Sequence, residues 1–163
     1  MLSDRYYQDL ISRPWSESID KEDQVPAFLE RMRWRRGIKC PRCHSTGITR
    51  FKKPKRKPEG RFLYNCRVCH RQFTVTTGTA LDRTHVPLEK WLRAIAMMRG
   101  SSRNLKPADL VRRLGVTHGT AQLMCRRLRP GMKTSFIRKL HLVMRSARTP
   151  EVIFRNIFPH LYE

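Results

Sequence analysis

The chain has 163 residues, 39% of them apolar, and sets 35 Lys and Arg against 13 Asp and Glu for a formal net charge of +22. That length holds one medium domain or two small ones. No apolar run approaches the roughly 18 residues of a membrane span, and a pI near 11.1 implies affinity for polyanions and a steep salt dependence.

The charge is unevenly spread. Residues 1–30 carry three basic and seven acidic residues, so nearly all of the excess lies beyond them. Residues 1–21 read as a separate acidic segment, with a short helix over Asp4–Ile11 and a loop around Pro14 and Trp15. The opening Met1-Leu2-Ser3-Asp4-Arg5 lacks the apolar centre of a signal peptide, and the expected location is cytoplasmic and nucleoid-associated.

A unit over residues 22–82 begins with a helix from Pro26. Phe28, Leu29, Met32 and Trp34 fall at helical spacing, and Gly37 stops it. Cys40-Pro41-Arg42-Cys43 and Cys66-Arg67-Val68-Cys69 are separated by 22 residues. Two Cys-x-x-Cys pairs about 20 residues apart are the pattern of a tetrahedral Zn(Cys)₄ site. Disulfides require an oxidising compartment. A catalytic ion keeps an open position that four thiolates do not leave. The expectation is therefore one structural Zn²⁺ held by Cys40, Cys43, Cys66 and Cys69 in a zinc ribbon. Only two residues separate Gly37 from Cys40, which predicts that the preceding helix packs on this ribbon. His44 and His70 each follow the second Cys of a pair, where the turn tends to positive φ, a region histidine tolerates better than most residues.

Gly47–Phe51 and Arg61–Asn65 alternate as two antiparallel strands, and Arg71–Thr76 as a third. The loop between the first two strands holds Lys52, Lys53, Lys55, Arg56 and Lys57, expected to contact phosphates. Phe51, Phe62, Tyr64 and Phe73 suit either a small core or base stacking, and the core is the preferred reading.

Residues 83–130 read as all-helical. After Pro87, residues Leu88, Trp91, Leu92, Ile95 and Met98 form one apolar face. A second helix, Pro107 to Leu114, leads through Gly115 to a third, which Thr117 caps. Leu110, Leu114, Val116, Ala121, Cys125 and Leu128 are the apolar positions, and the pattern is helix-turn-helix. His118, Thr120, Gln122, Leu123, Arg126 and Arg127 are the candidates for reading bases, with Thr120 and Gln122 favoured and the two arginines nearer the phosphates. Arg129 is a further phosphate candidate. Residues 131–163 predict two more helices: one with Phe136, Ile137, Leu140 and Met144 inward and Arg138, Lys139, Arg145 and Arg148 outward, then an apolar one after Pro150. The apolar last helix either folds back or forms a homodimer or protein-partner surface. The fold class expected is α+β: a small β zinc ribbon flanked by an N-terminal helix and followed by an all-α helix-turn-helix domain.

The order Arg33-Trp34, Gly37, Cys40-Pro41-x-Cys43, Cys66-x-x-Cys69, Phe73-Thr74-Val75-Thr76-Thr77-Gly78-Thr79 and Pro87-Leu88-x-Lys90-Trp91 resembles the N-terminal part of bacterial insertion-sequence transposases. The resemblance covers about residues 25–130 and implies modules that bind element ends. His44 and His70 depart from the glycines usual in that family. The family's acidic-triad nuclease domain has no counterpart: after Asp109 the only acids are Glu151 and Glu163, whereas two-metal chemistry needs clustered carboxylates. The expectation is a zinc-dependent, double-stranded-DNA-binding protein that is not an enzyme, acting as a transcriptional regulator. The alternatives are a truncated or accessory transposase protein on terminal inverted repeats, and a single-strand or RNA-binding module using Phe62 and Tyr64.

Overall fold

The computed structural model describes residues 24–34, 36–51, 62–98 and 105–146. The expected helix at Asp4–Ile11, the basic loop and the apolar helix after Pro150 lie outside these residues.

Helix α1 (Gln24–Arg33) arises from the spacing of Val25, Phe28, Leu29 and Met32, all buried, on one side of a 3.6-residue repeat. Gly37, at φ +97°, turns the chain, its N–H donating to Trp34 O. A conformation of that sign costs glycine least. The ribbon then forms a three-stranded antiparallel sheet in the order β1-β2-β3: β1 (Ile48–Phe51), β2 (Leu63–Cys66) and β3 (Gln72–Phe73). Ile48 pairs with Cys66 and Phe51 with Leu63, while Tyr64 faces Phe73 across the other ladder.

The third strand is shorter than the alternation suggests. Beyond Phe73 the chain knots into turns: Thr74 N–H donates to Thr77 Oγ1, Thr79 Oγ1 to Thr76 O, and Gly78 N–H to Asp82 Oδ2. Threonines bonding to nearby backbone compete with a sheet ladder, and here they win.

Four further helices complete the described chain: α2 (Leu88–Ala96), α3 (Pro107–Leu114), α4 (His118–Gly131) and α5 (Ser135–Ser146). Pro87 ends an extended approach to α2, and Trp91 Nε1–H donates to the buried Thr84 Oγ1 at 2.9 Å. Gly115 caps α3 at φ +58°, and Thr117 Oγ1 accepts the Thr120 N–H to start α4. Three residues thus turn one helix into the next. Helix α4 continues through Pro130 to Gly131, further than a proline stop predicts. Proline lacks only its own N–H, and the last turn is completed when Met132 N–H donates to Leu128 O.

A single apolar core collects α1, Val75, Leu81 and α2 to α5. It includes every apolar position expected along α2, and Leu110, Leu114, Ala121, Cys125 and Leu128 of the next two helices, with Val116 packed at its margin. Residues from three of the four expected segments therefore share one core. The apolar face of α1 enters the helical core, while its C-terminal end meets the ribbon through Glu30, beside Tyr64, and through Trp34. The ribbon's short strands offer only Tyr64 and Phe73 beside two cysteines, with Ile38, Ile48 and Phe62 at the edge. Helices α2 and α5 offer a broader surface. Among the described residues, Trp34 alone packs against both clusters, standing edge-on to Tyr64 (5.2 Å between ring centroids) and Phe73 (6.0 Å).

Arg33 adds a second tie. Its guanidinium donates to Val75 O at 2.5 Å and to Thr77 O at 2.7 Å, and lies 5.4 Å from the Trp34 ring. Burial lowers its pKa from the usual guanidinium value, and the Asp82 carboxylate opposes that shift. Farther along, Gly131 lets α4 approach the chain leaving the ribbon: a Cβ there would stand 3.0 Å from Ala80 Cβ.

Candidate metal centre and nucleic-acid interface

The two Cys-x-x-Cys turns are built alike. Cys40 N–H donates to Ser45 O and His44 N–H to Cys40 O; Cys66 N–H donates to Arg71 O and His70 N–H to Cys66 O. The closing residues, His44 at φ +59° and His70 at φ +54°, are left-handed, so both histidines are turn residues. The four Sγ atoms lie within 4.8 Å of one another, with Cys40···Cys69 at 3.6 Å and Cys43···Cys66 at 3.5 Å.

A tetrahedron with Zn–S bonds of about 2.3 Å has S···S edges of about 3.8 Å, so the cluster is of zinc size, while a disulfide needs about 2.05 Å. Backbone donors prepare the sulfurs for the thiolate form. The Cys66 thiol is drawn down to about 6, first by the Cys69 N–H and then by that of Val68, against desolvation. Desolvation raises Cys40, but the N–H groups of Cys43 and Arg42 outweigh it and lower its pKa. At Cys43 the Ser45 N–H lowers the pKa, yet desolvation and the shared S–H···S contacts push it up to about 12. A cation would draw that last proton off. Cys40, Cys43, Cys66 and Cys69 bind one structural Zn²⁺, and four thiolates leave no position for a substrate.

Of the ribbon's aromatic residues, Tyr64 and Phe73 form its small core, Phe62 packs at the edge, and Phe51 is exposed. Tyr64 is stacked on Phe73 at 5.6 Å and is 1% exposed, its pKa raised by burial and by the neighbouring Glu30. Phe62 lies beneath the Arg50 guanidinium, 3.6 Å from the ring centroid. Of the two rings expected to stack bases in a single-strand binder, Tyr64 is buried in the ribbon core, and Phe62 is half-buried with Arg50 over one face.

Helix α4 displays the other candidates. His118, Gln122, Arg126 and Arg129 are exposed, while Thr120, Leu123 and Arg127 are half-buried. Thr120 closes the helix cap, its hydroxyl 2.9 Å from Thr117 Oγ1. Arg127 reaches back across the core, Nη1 donating to Asp82 O at 2.6 Å. His118, Gln122 and Arg126 succeed one another at four-residue steps and share one face. Lys52, Lys53, Lys55, Arg56 and Lys57 lie outside the described residues.

Two residues stand out that the sequence pattern does not mark as functional. Arg83 is only a segment boundary there, yet it is exposed with φ +48°. His141 is buried and its Nε2 contacts Met98 O, which fixes α5 to the end of α2. No periodicity signals the first; the second falls one turn beyond Ile137, on a helix whose sequence reading placed apolar residues inward and arginines and lysine outward. Among the described residues, no helix is long and apolar enough to cross a membrane.

Residues 20–72 match the family model of the transposase zinc-ribbon domain. Over 78 residues the chain is 31% identical to an uncharacterised protein in the transposable element ISH50 of Halobacterium salinarum, covering 45% of this chain. The chain spans about a quarter (24%) of that relative's length. No solved structure matches. The ribbon is thus similar to the zinc ribbon of transposases, a binding module in which the metal has a structural part.

Proposed function

We propose that the protein binds double-stranded DNA at the ends of a mobile element, the ribbon and its basic loop holding the backbone and α4 reading bases from the major groove. The observation that carries this reading is the exposed row His118, Gln122 and Arg126, on a helix introduced by a three-residue glycine turn. An α-helix fits the B-DNA major groove, where a Gln side chain near the helix start can pair with an adenine edge and an Arg farther along lies nearer the phosphates. The transposase zinc ribbon in the same chain and a relative named for a transposable element point to element ends as the DNA concerned. A regulator of transcription would use the same surface on a different site.

Affinity selection of fragmented genomic DNA at about 150 mM salt, where non-specific electrostatics are weakened, tests the proposal. Enrichment at inverted repeats is the expected result, enrichment upstream of genes would turn the reading to regulation, and no enrichment would remove the base-reading roles. On a selected site, Gln122→Ala should lower specific affinity by about 1–3 kcal/mol and leave non-specific binding intact. An equal loss on every sequence would refute the role of α4.

A further inference from the structure

The turn that leaves the ribbon and the second half of α4 form an open groove of about 460 Å³, lined by Thr79, Ala80, Asp82, Arg83, Arg126, Arg127 and Pro130. Three of its seven lining residues are arginines. One acid stands against the three: the Asp82 carboxylate accepts the Gly78 N–H, and it is the Asp82 carbonyl that holds Arg127. Among the described residues, no carboxylate pairs with Arg83 or Arg126. The space greatly exceeds the roughly 30 Å³ of one water molecule.

Arg83 also occupies a backbone conformation that L-residues with a side chain disfavour, at φ +48°. Glycine would hold that turn without strain. A long cationic side chain is kept there, in one groove with Arg126 and with no salt-bridge partner for either among the described residues. Strained residues of this sort cluster at ligand-binding sites.

We propose that Arg83 and Arg126 form a phosphate-binding clamp for the DNA backbone, with Arg127 serving as a brace that fixes α4 to Asp82 rather than as a base reader. The inference rests on the duplex-DNA reading proposed for this chain and deepens it. It divides α4 by role: His118 and Gln122, near the helix start, face bases, while Arg126 and the ribbon-exit turn set the register on phosphates. Phosphate contacts of this kind fix orientation without reading sequence.

The experiment is a salt titration of affinity for a random-sequence duplex, using the full zinc-loaded chain. Arg83→Gly removes the charge and relieves the strained turn, so it should raise the melting temperature while weakening binding. The slope of log affinity against log salt should fall in magnitude by about 0.9, the value for one phosphate contact. Arg126→Ala should do the same, and Arg83→Lys should restore the slope because counterion release counts charge. An unchanged slope in Arg83→Gly with normal wild-type binding would overturn the clamp alone. Failure of the wild-type chain to bind duplex would overturn both readings.

Discussion

Arg33 carries the contact between the ribbon exit and the helical core, and its removal has a calculable consequence. Two hydrogen bonds run from its guanidinium to Val75 O and Thr77 O. Bonds from a charged donor contribute about 1.5–3 kcal/mol each, so the pair is worth about 3–6 kcal/mol. Arg33→Met keeps most of the stem and its packing but leaves both carbonyls to find water. It also removes a buried charge whose desolvation opposed folding, which reduces the net loss to about 2–4 kcal/mol. For a chain of this size each kcal/mol lowers the melting temperature by about 2–4 °C, so a drop near 9 °C is expected for the zinc-loaded protein. Arg33→Lys should recover only part of it, because an ammonium lacks the planar fork that reaches two carbonyls together. Thermal unfolding followed by circular dichroism measures both. A loss under about 1 kcal/mol in the Met variant, or equal losses in Met and Lys, would refute the energetic role of the Arg33 hydrogen bonds.

Chelation should remove one zinc per chain and disorder the ribbon, while most helical signal survives, because the helical core includes none of the four ligands. Alkylation after chelation should then modify four thiols at neutral pH and spare Cys125. That residue is 2% exposed, and burial raises its pKa, so its thiolate fraction grows only as pH rises above the ordinary thiol range; mass spectrometry showing five adducts without unfolding would contradict this. Gly115→Ala should destabilise the protein by about 1–2 kcal/mol through its left-handed backbone, although a Cβ there meets nothing within 4 Å. Gly115→Asn should cost less, and urea unfolding distinguishes them.

Much of the fold is legible in the residues because local rules and tertiary packing agree there. The cysteine spacing specifies the metal centre, the two left-handed histidines follow from the turn it requires, and α2 shows its buried face in Leu88, Trp91, Leu92 and Ile95. Thr117 announces the start of α4 through capping chemistry alone. Other features depend on distance in space rather than in sequence. The seat of α1's apolar face is not legible, because a two-residue connection says how close two elements begin, not which surface has room to receive an apolar face. Arg33 and Val75-Thr76-Thr77-Gly78-Thr79 are visible as separate motifs, yet only the structure shows that one grips the other. Arg127 looks like any outward cation on a helical wheel until Asp82 O, 45 residues away, claims it. Arg83 is silent in sequence because φ cannot be read from an arginine.

The close approach at Gly131 makes positions 80 and 131 a single steric unit. Their two Cβ positions, one real and one hypothetical, lie 3.0 Å apart, so together they have room for one methyl group. Gly131→Ala alone would wedge α4 away from the ribbon exit, widening the arginine-lined groove between them. Pairing it with Ala80→Gly removes the 3.0 Å clash and leaves the added methyl in contact with Ile137, 3.4 Å away. A side chain at position 131 is therefore conditional on the loss of one at position 80, although the two lie 51 positions apart in sequence.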